Sequence, residues 1–189
     1  MSNYYLMEFI SNSNNLDRIS NNIWIGNFIA SLNTDLLKSL GITKVLTVVD
    51  NMDLPNYSEE KYITHKKVNV ADNCRENIIQ YFGECINFIK GTENILVHCM
   101  VGASRSSTVV IAYLMWAYRW TYEQAYKYVL SKRHIARPNE GFDQQLKLFE
   151  RLLLMNNFNL DNINFKGIKW EPPQNLINDY QIYEQLLFN

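Results

Sequence analysis

Cysteine is scarce in this chain. Cys74, Cys85 and Cys99 are the only three in 189 residues, widely spaced and without a C-x-x-C pair. That excludes the disulfide framework of a small secreted domain and favours a reducing compartment. Histidine is equally sparse, and His65, His98 and His134 are too scattered for a zinc constellation, so no metal is expected. A formal net charge of −1 leaves no basic excess, which argues against nucleic acid as a partner. The opening MSNYYLMEFI has no basic stretch ahead of an apolar one and no Gly placed for acylation, so neither a secretion signal nor a lipid anchor is expected. The longest apolar run, TVVIAYLMWAY, falls short of the roughly 20 residues a bilayer requires. These absences leave a protein without membrane association, cytoplasmic or nuclear, as the expectation.

With 47% hydrophobic residues, the chain can bury one substantial core. NNIWIGN, ITKVLTVVD, YITHKKVNV and NILVH read as strands, the second and fourth apolar enough to be buried. SLNTDLLKSLG reads as a helix stopped by Gly41, NMDLPNYSEE as a loop, and ENIIQYFGECINFIK as an amphipathic helix beginning at Glu76. After NILVH come three helical segments, STVVIAYLMWAYR, TYEQAYKYVLSKR with Thr121 as N-cap, and FDQQLKLFERLLLM. Strands alternating with helices predict an α/β fold with a largely parallel sheet covered on both faces. Ligands in such folds bind beyond the carboxyl ends of the strands.

VHCMVGASRSS occupies that position, between the NILVH strand and the next helix. Gly102 is the residue best able to supply an unusual dihedral in so tight a turn. A strand–loop–helix turn of this kind aims backbone N–H groups inward at the positive end of a helix dipole, which makes an anion cradle from Met100, Val101, Gly102, Ala103, Ser104 and Arg105. The Arg105 fork adds a bidentate clamp suited to phosphate. The same field stabilises a thiolate, so Cys99 becomes a candidate nucleophile for in-line attack on the bound phosphorus.

His98, Cys99, Gly102, Ser104, Arg105 and Ser106 match the H-C-x-x-G-x-x-R-S signature of cysteine-dependent protein phosphatases. Over about residues 20–155 the chain resembles a dual-specificity phosphatase catalytic domain, with IWIGNFIAS and GITKVLTV similar to its early strands. YLM at 113–115 and ARPNEGFDQQLKLFERLL are similar to its last two helices. The resemblance implies a protein tyrosine phosphatase-like fold, with a mostly parallel, mixed sheet of about five strands. It implies removal of phosphate from phosphotyrosine and from phosphoserine or phosphothreonine through a cysteinyl-phosphate intermediate, with no cofactor.

Such chemistry needs a carboxyl group that protonates the leaving oxygen and later activates water. Asp50, Asp53 and Asp72 all lie in loops that follow strands. The resemblance places Asp72 at the family's general acid, while Asp50 and Asp53 read as turn residues. It also implies that Ser106 assists hydrolysis of the intermediate and that Asn139 braces the cradle. His98 is expected to orient the loop and not to act as the acid. Cys74, two residues from Asp72, is placed to pair with an oxidised Cys99, although most loop cysteines do no such thing, and Cys85 reads as core.

The acid loop V-A-D-N lacks the W-P-D of the larger tyrosine-specific enzymes, and Cys99 is too far along the chain for the low-molecular-weight class. Met100, Val101 and Ala103 carry no charge, unlike a cradle built for a multiply phosphorylated headgroup. A phosphoprotein is therefore the expected partner. A silent phosphoprotein-binding scaffold and a rhodanese-like transfer enzyme are the alternatives, and the presence of Cys99, Arg105 and Asp72 and the G-x-S-R-S ending weigh against them. Residues 1–19 read as an accessory segment. Residues 156–189 read as a tail whose Phe158, Phe165, Trp170, Tyr180, Tyr183 and Phe188 call for burial, on the domain, in a second copy as a tail-mediated dimer, or on a partner.

Overall fold

A computed structural model describes residues 15–50, 57 and 61–176; the N-terminal YYLMEFI, Asp53, Tyr180, Tyr183 and Phe188 lie outside the described residues. One mixed sheet organises the chain: β1 (Leu16–Arg18), β2 (Ile23–Gly26), β3 (Ile42–Val48), β4 (Thr64–Val68) and β5 (Asn94–His98) lie in the order β1-β2-β5-β3-β4. β1 runs antiparallel to β2, and all other pairings are parallel. The three residues Leu16, Asp17 and Arg18 carry no strand pattern of their own. The Arg18 guanidinium covers the Trp24 ring and donates to the Ser20 and Asn21 carbonyls, which folds the hairpin back on itself.

Alternation along the inner strands separates two cores. Ile23, Ile25, Leu46, Val48, Ile95 and Val97 face the larger one, while Ile42, Val45 and Leu96 face Leu37, Tyr57 and Ile63. The second face is covered by α2 (Thr34–Ser39). The first is covered by α3 (Phe82–Ile89), α4 (Arg105–Tyr118), α5 (Tyr122–Lys132) and α6 (Glu140–Met155). α4 is the middle helix, buried at every position from Arg105 to Ala112, with the polar Arg105, Ser106, Ser107 and Thr108 at its start and its apolar run from Val109 in the core. Thr121 caps α5 in a reciprocal capping box with Gln124. Among the described residues no helix is long and apolar enough to cross a membrane.

Two helices differ from their sequence pattern. SLNTDLLKSLG breaks at Asn33, which ends α1 (Phe28–Leu32) and caps α2 through its side-chain oxygen on the Leu36 N–H. The helix expected from Glu76 starts instead with a 3-10 turn at Ile79–Tyr81 and becomes α-helical only at Phe82. The buried Gln145 amide accounts for the delay, since its oxygen accepts from the Ile79 N–H and its nitrogen donates to the Glu76 carbonyl. Those backbone groups are satisfied by a side chain and gain nothing from an earlier helical turn.

Beyond α6 the chain reverses through Asn157 and Phe158, both at positive φ, and returns across the first face as two 3-10 turns, Leu160–Asn162 and Phe165–Gly167. Trp116 donates to the Phe158 carbonyl at 3.1 Å, and the Phe165 ring lies against Phe149 and directly over Gly83. A Cβ on Gly83 would stand 2.6 Å from that ring. Helix propensity alone favours Ala over Gly inside α3 by about 1 kcal/mol. The contact with Phe165 reverses that sign, so Gly83→Ala is expected to destabilise the protein in urea unfolding and to expose the segment after 156 to proteolysis. In a Phe165→Ala background the same Gly83→Ala change should stabilise.

Candidate active site

The parallel register aligns Gly26 and Thr47 with His98 at the carboxyl edge of the sheet. Cys99 therefore leaves the central strand between the end of β2 and the end of β3. The loop that follows must satisfy its backbone while turning into α4. Its carbonyls all find partners on the outside: Met100 O accepts the Phe28 N–H at 3.1 Å and Ala103 O the Arg137 N–H at 2.8 Å. Gly102 O accepts Arg133 Nε at 2.6 Å and Val101 O accepts Arg133 Nη2 at 3.2 Å. With the carbonyls turned out, the loop N–H groups face the interior of the turn, and the Gly102 N–H donates to Cys99 Sγ at 3.2 Å. Gly102 has φ +78°, and a Cβ there would meet the Gly26 carbonyl at 2.5 Å. Only glycine fits.

Cys99 Sγ also lies 3.3 Å from the Ser106 hydroxyl on the first turn of α4. Arg105, 7% exposed, donates from Nη1 to Asp50 Oδ1 and to the Val70 carbonyl, both at 3.2 Å. Its buried Nε makes no hydrogen bond, with Asp72 Oδ2 standing off at 3.5 Å. Asp72 Oδ1 accepts the Ser104 hydroxyl at 2.7 Å and the Asn139 amide at 2.9 Å, while the Asn139 N–H returns to Ser104 Oγ at 3.1 Å. Asn139 is at the same time the N-cap of α6, which fixes its side chain. Met100, Val101 and Ala103 are half-buried around the rim. The structure thus brings together Cys99, Gly102, Ser104, Arg105, Ser106, Asp72 and Asn139.

His98 sits just below. Its Nε2 lies 2.7 Å from Thr47 Oγ1, which is also 2.9 Å from His65 Nε2, and its Nδ1 lies 3.4 Å from the Cys99 carbonyl. Complete burial pushes His98 down to about 3, so the ring is neutral at physiological pH and steadies the loop by hydrogen bonding. Cys74 is buried and Cys85, inside α3, more so; none of the three cysteines forms a disulfide. Burial raises Cys85 far above the ordinary thiol range. Among the described residues no cluster of three or more His, Cys, Asp or Glu could hold a metal ion.

Two residues that the sequence reading did not assign to the site belong to this constellation. Asp50, taken there for a turn residue, is an ion-pair partner of Arg105. Its position just past the end of β3 was the available signal. Arg133 is 1% exposed and joins the loop carbonyls to Asp17 of β1, 2.6 Å from its Nη1. Following α5, it resembles any cation at a helix C-terminus, and no local pattern distinguishes it.

Two predictions follow from these partners. Arg133→Lys keeps the charge but cannot serve two carbonyls and a carboxylate at once. It should lower stability by about 2–4 kcal/mol and weaken phosphate binding, read as a smaller rise in melting temperature with added phosphate. For His98, the unfolded chain takes up a proton near the ordinary 6.5 and the folded chain only near 3. Between those values the unfolded state binds more protons, so stability falls as pH drops through that window. His98→Asn should remove a slope of up to about 1.4 kcal/mol per pH unit from urea midpoints measured between pH 7 and 4.5.

The family model described as the dual specificity phosphatase catalytic domain matches residues 23–152. Dual specificity protein phosphatase MPK-4 of Drosophila melanogaster is 39% identical over 142 residues, 72% of this chain and 36% of that protein. Dual specificity protein phosphatase 1 of Arabidopsis thaliana is 39% identical over 137 residues, 70% of this chain and 68% of that one. The chain therefore spans about a third of the Drosophila relative's length and two thirds of the Arabidopsis relative's. Among solved structures, the human tyrosine phosphatase-like serine/threonine/tyrosine-interacting protein superposes with a TM-score of 0.69 at 30% identity, covering 74% of this chain and 97% of that one. A mouse putative dual specificity phosphatase superposes with a TM-score of 0.70 at 29% identity, covering 76% and 91%. With the mixed sheet, the loop between β5 and α4 and these matches in agreement, the chain belongs to the dual specificity phosphatase family.

Proposed function

We propose that this protein is a dual-specificity protein phosphatase that hydrolyses phosphotyrosine and phosphoserine or phosphothreonine in a phosphoprotein. The observation that carries the reading is the cradle: loop carbonyls bonded outward, N–H groups inward over Cys99, and a buried Arg105 Nε without a hydrogen bond. A phosphoryl group seated there accepts from the loop N–H groups and from Arg105 in bidentate fashion. Cys99 Sγ attacks phosphorus in line as the bond to the substrate oxygen breaks, and Asp72 gives its proton to that oxygen. Water then attacks the cysteinyl phosphate, Asp72 takes a proton from it, and the S–P bond breaks. The Ser106 hydroxyl, 3.3 Å from Sγ, stabilises the departing thiolate.

Met100, Val101 and Ala103 around the rim are uncharged, which suits a single phosphate on a protein side chain better than a polyanionic headgroup or an RNA end. The same thiolate, guanidinium and carboxyl group carry both steps, so the reaction as written calls for no cofactor.

Hydrolysis of an aryl phosphate without added metal tests the reading. Cys99→Ser should abolish turnover. Asp72→Asn should slow turnover of a poor leaving group by roughly 10²–10⁴ and remove the limb on which activity falls as pH rises, because the acid must be protonated to donate. Full activity in Cys99→Ser would refute the mechanism, and an inactive, folded wild type that still binds phosphopeptide would favour the scaffold.

A further inference from the structure

The acid loop, residues 71–78, has neither strand nor helix to hold it. On one side it rests on Gly141, which contacts the backbone of Cys74 so closely that no Cβ could be accommodated. On the other it meets the returning tail. Trp170 Nε1 donates to the Cys74 carbonyl at 2.8 Å across 96 residues of sequence, and Asn77 Nδ2 donates to the Ile168 carbonyl at 2.7 Å. The tail segment that carries Trp170 is pinned by Phe165 over Gly83 and against Phe149. Residues 156–170 thus form a strap across α3 that ends on the loop bearing Asp72. The strap lies beyond residues 23–152, the part matched by the family's catalytic-domain model.

From this contact we infer that Trp170 is a positioning residue for the general acid. By holding the Cys74 carbonyl against the Gly141 side, it keeps Asp72 in register with Ser104 and Asn139, so that the carboxyl group overhangs Cys99. The inference rests on Asp72 being the acid. The reason the contact bears on rate is geometric: proton transfer requires the carboxyl group within hydrogen-bond reach of the leaving oxygen, and a displacement of about 1 Å at such a group can cost up to about 10²-fold. Cys74 is two residues from Asp72, so a shift of its carbonyl is passed along the loop to the carboxyl group. Phosphate binding and thiolate attack depend on the loop after β5 and not on the strap. Loss of the Trp170 contact therefore harms the two steps in which Asp72 moves a proton, and kcat/KM, which ends with formation of the cysteinyl phosphate, isolates the one that depends on the leaving group.

Trp170→Phe keeps the ring and removes the donor. Turnover is measured with phenyl phosphate, whose leaving group needs a proton, and with a fluorinated umbelliferyl phosphate, whose leaving group does not. Expected is a loss of about tenfold in kcat/KM on the first and less than twofold on the second, with faster amide hydrogen exchange at residues 71–77. Phe165→Ala, which unpins the strap away from the site, should show the same selectivity, and covers the case in which Trp170→Phe does not fold. In an Asp72→Asn background Trp170→Phe should have no further effect. Equal losses on both substrates, unchanged exchange in the loop, or full additivity with Asp72→Asn would each overturn the inference. If Asp72→Asn itself shows no leaving-group dependence, the assignment of the acid falls, and this inference with it. If only the Trp170 and Phe165 variants lack it, the acid stands and the strap does not position it.

Discussion

The outward bonding of the carbonyls of Met100, Val101, Gly102 and Ala103 is the constraint on which the site depends. A buried peptide group must bond on both sides. Once the carbonyls are held by Phe28, Arg133 and Arg137, the N–H groups have only the inside of the turn to serve, where the Gly102 N–H donates to the Cys99 sulfur. Much of the surrounding architecture supports that orientation. α1 brings the Phe28 N–H under the loop, and the end of α5 supplies Arg133. The short β1 places Asp17 to neutralise the one Arg133 nitrogen that faces away from the loop. An edge strand of three residues contributes little as a strand, but as the holder of Asp17 it is part of the cradle.

Arg105 presents the complementary problem. A guanidinium this buried needs counter-charge, and Asp50 and Asp72 provide it. The arrangement is asymmetric. Asp50 and the Val70 carbonyl hold Nη1, whereas Asp72 remains beyond hydrogen-bond distance of Nε and is bonded instead by Ser104 and Asn139. In the proposed reaction an incoming phosphoryl group completes Arg105 without dismantling the support of the acid. The guanidinium is anchored from one edge, the acid from Ser104 and Asn139, and the space between them is where the substrate would sit.

The domain does not end with its last long helix. The chain after α6 buries Leu160 and Ile163 and closes the α3 side of the large core, so the catalytic unit and the strap share one apolar surface. A tail rich in aromatic residues satisfies its need for burial on its own domain as far as the described residues extend.

Much of the fold was legible because its periodicities are local. β-branched runs marked β3 and β5, apolar residues at helical spacing marked α4 to α6, and Thr121 announced its helix through chemistry that lies entirely within four residues. The grouping of the candidate site was legible for the same reason: Cys99, Gly102, Arg105 and Ser106 fall in one stretch between a strand and a helix, and the structure brings them together. β1 was not legible, because its strand state comes from pairing with β2 and not from the three residues Leu16, Asp17 and Arg18 themselves. The start of α3 was not, because Gln145, 66 positions away from Ile79, takes the backbone groups that a helix would have used. Sequence by itself determined the loop that carries Cys99 and Arg105 and the succession of elements around it, since those depend on neighbours along the chain. Only the tertiary structure decided that Asp50 and Arg133 belong to the site and that Trp170 reaches the acid loop. Hydrogen bonds between groups remote in sequence leave no periodic trace, and they form only where packing of the two cores brings the partners within about 3 Å.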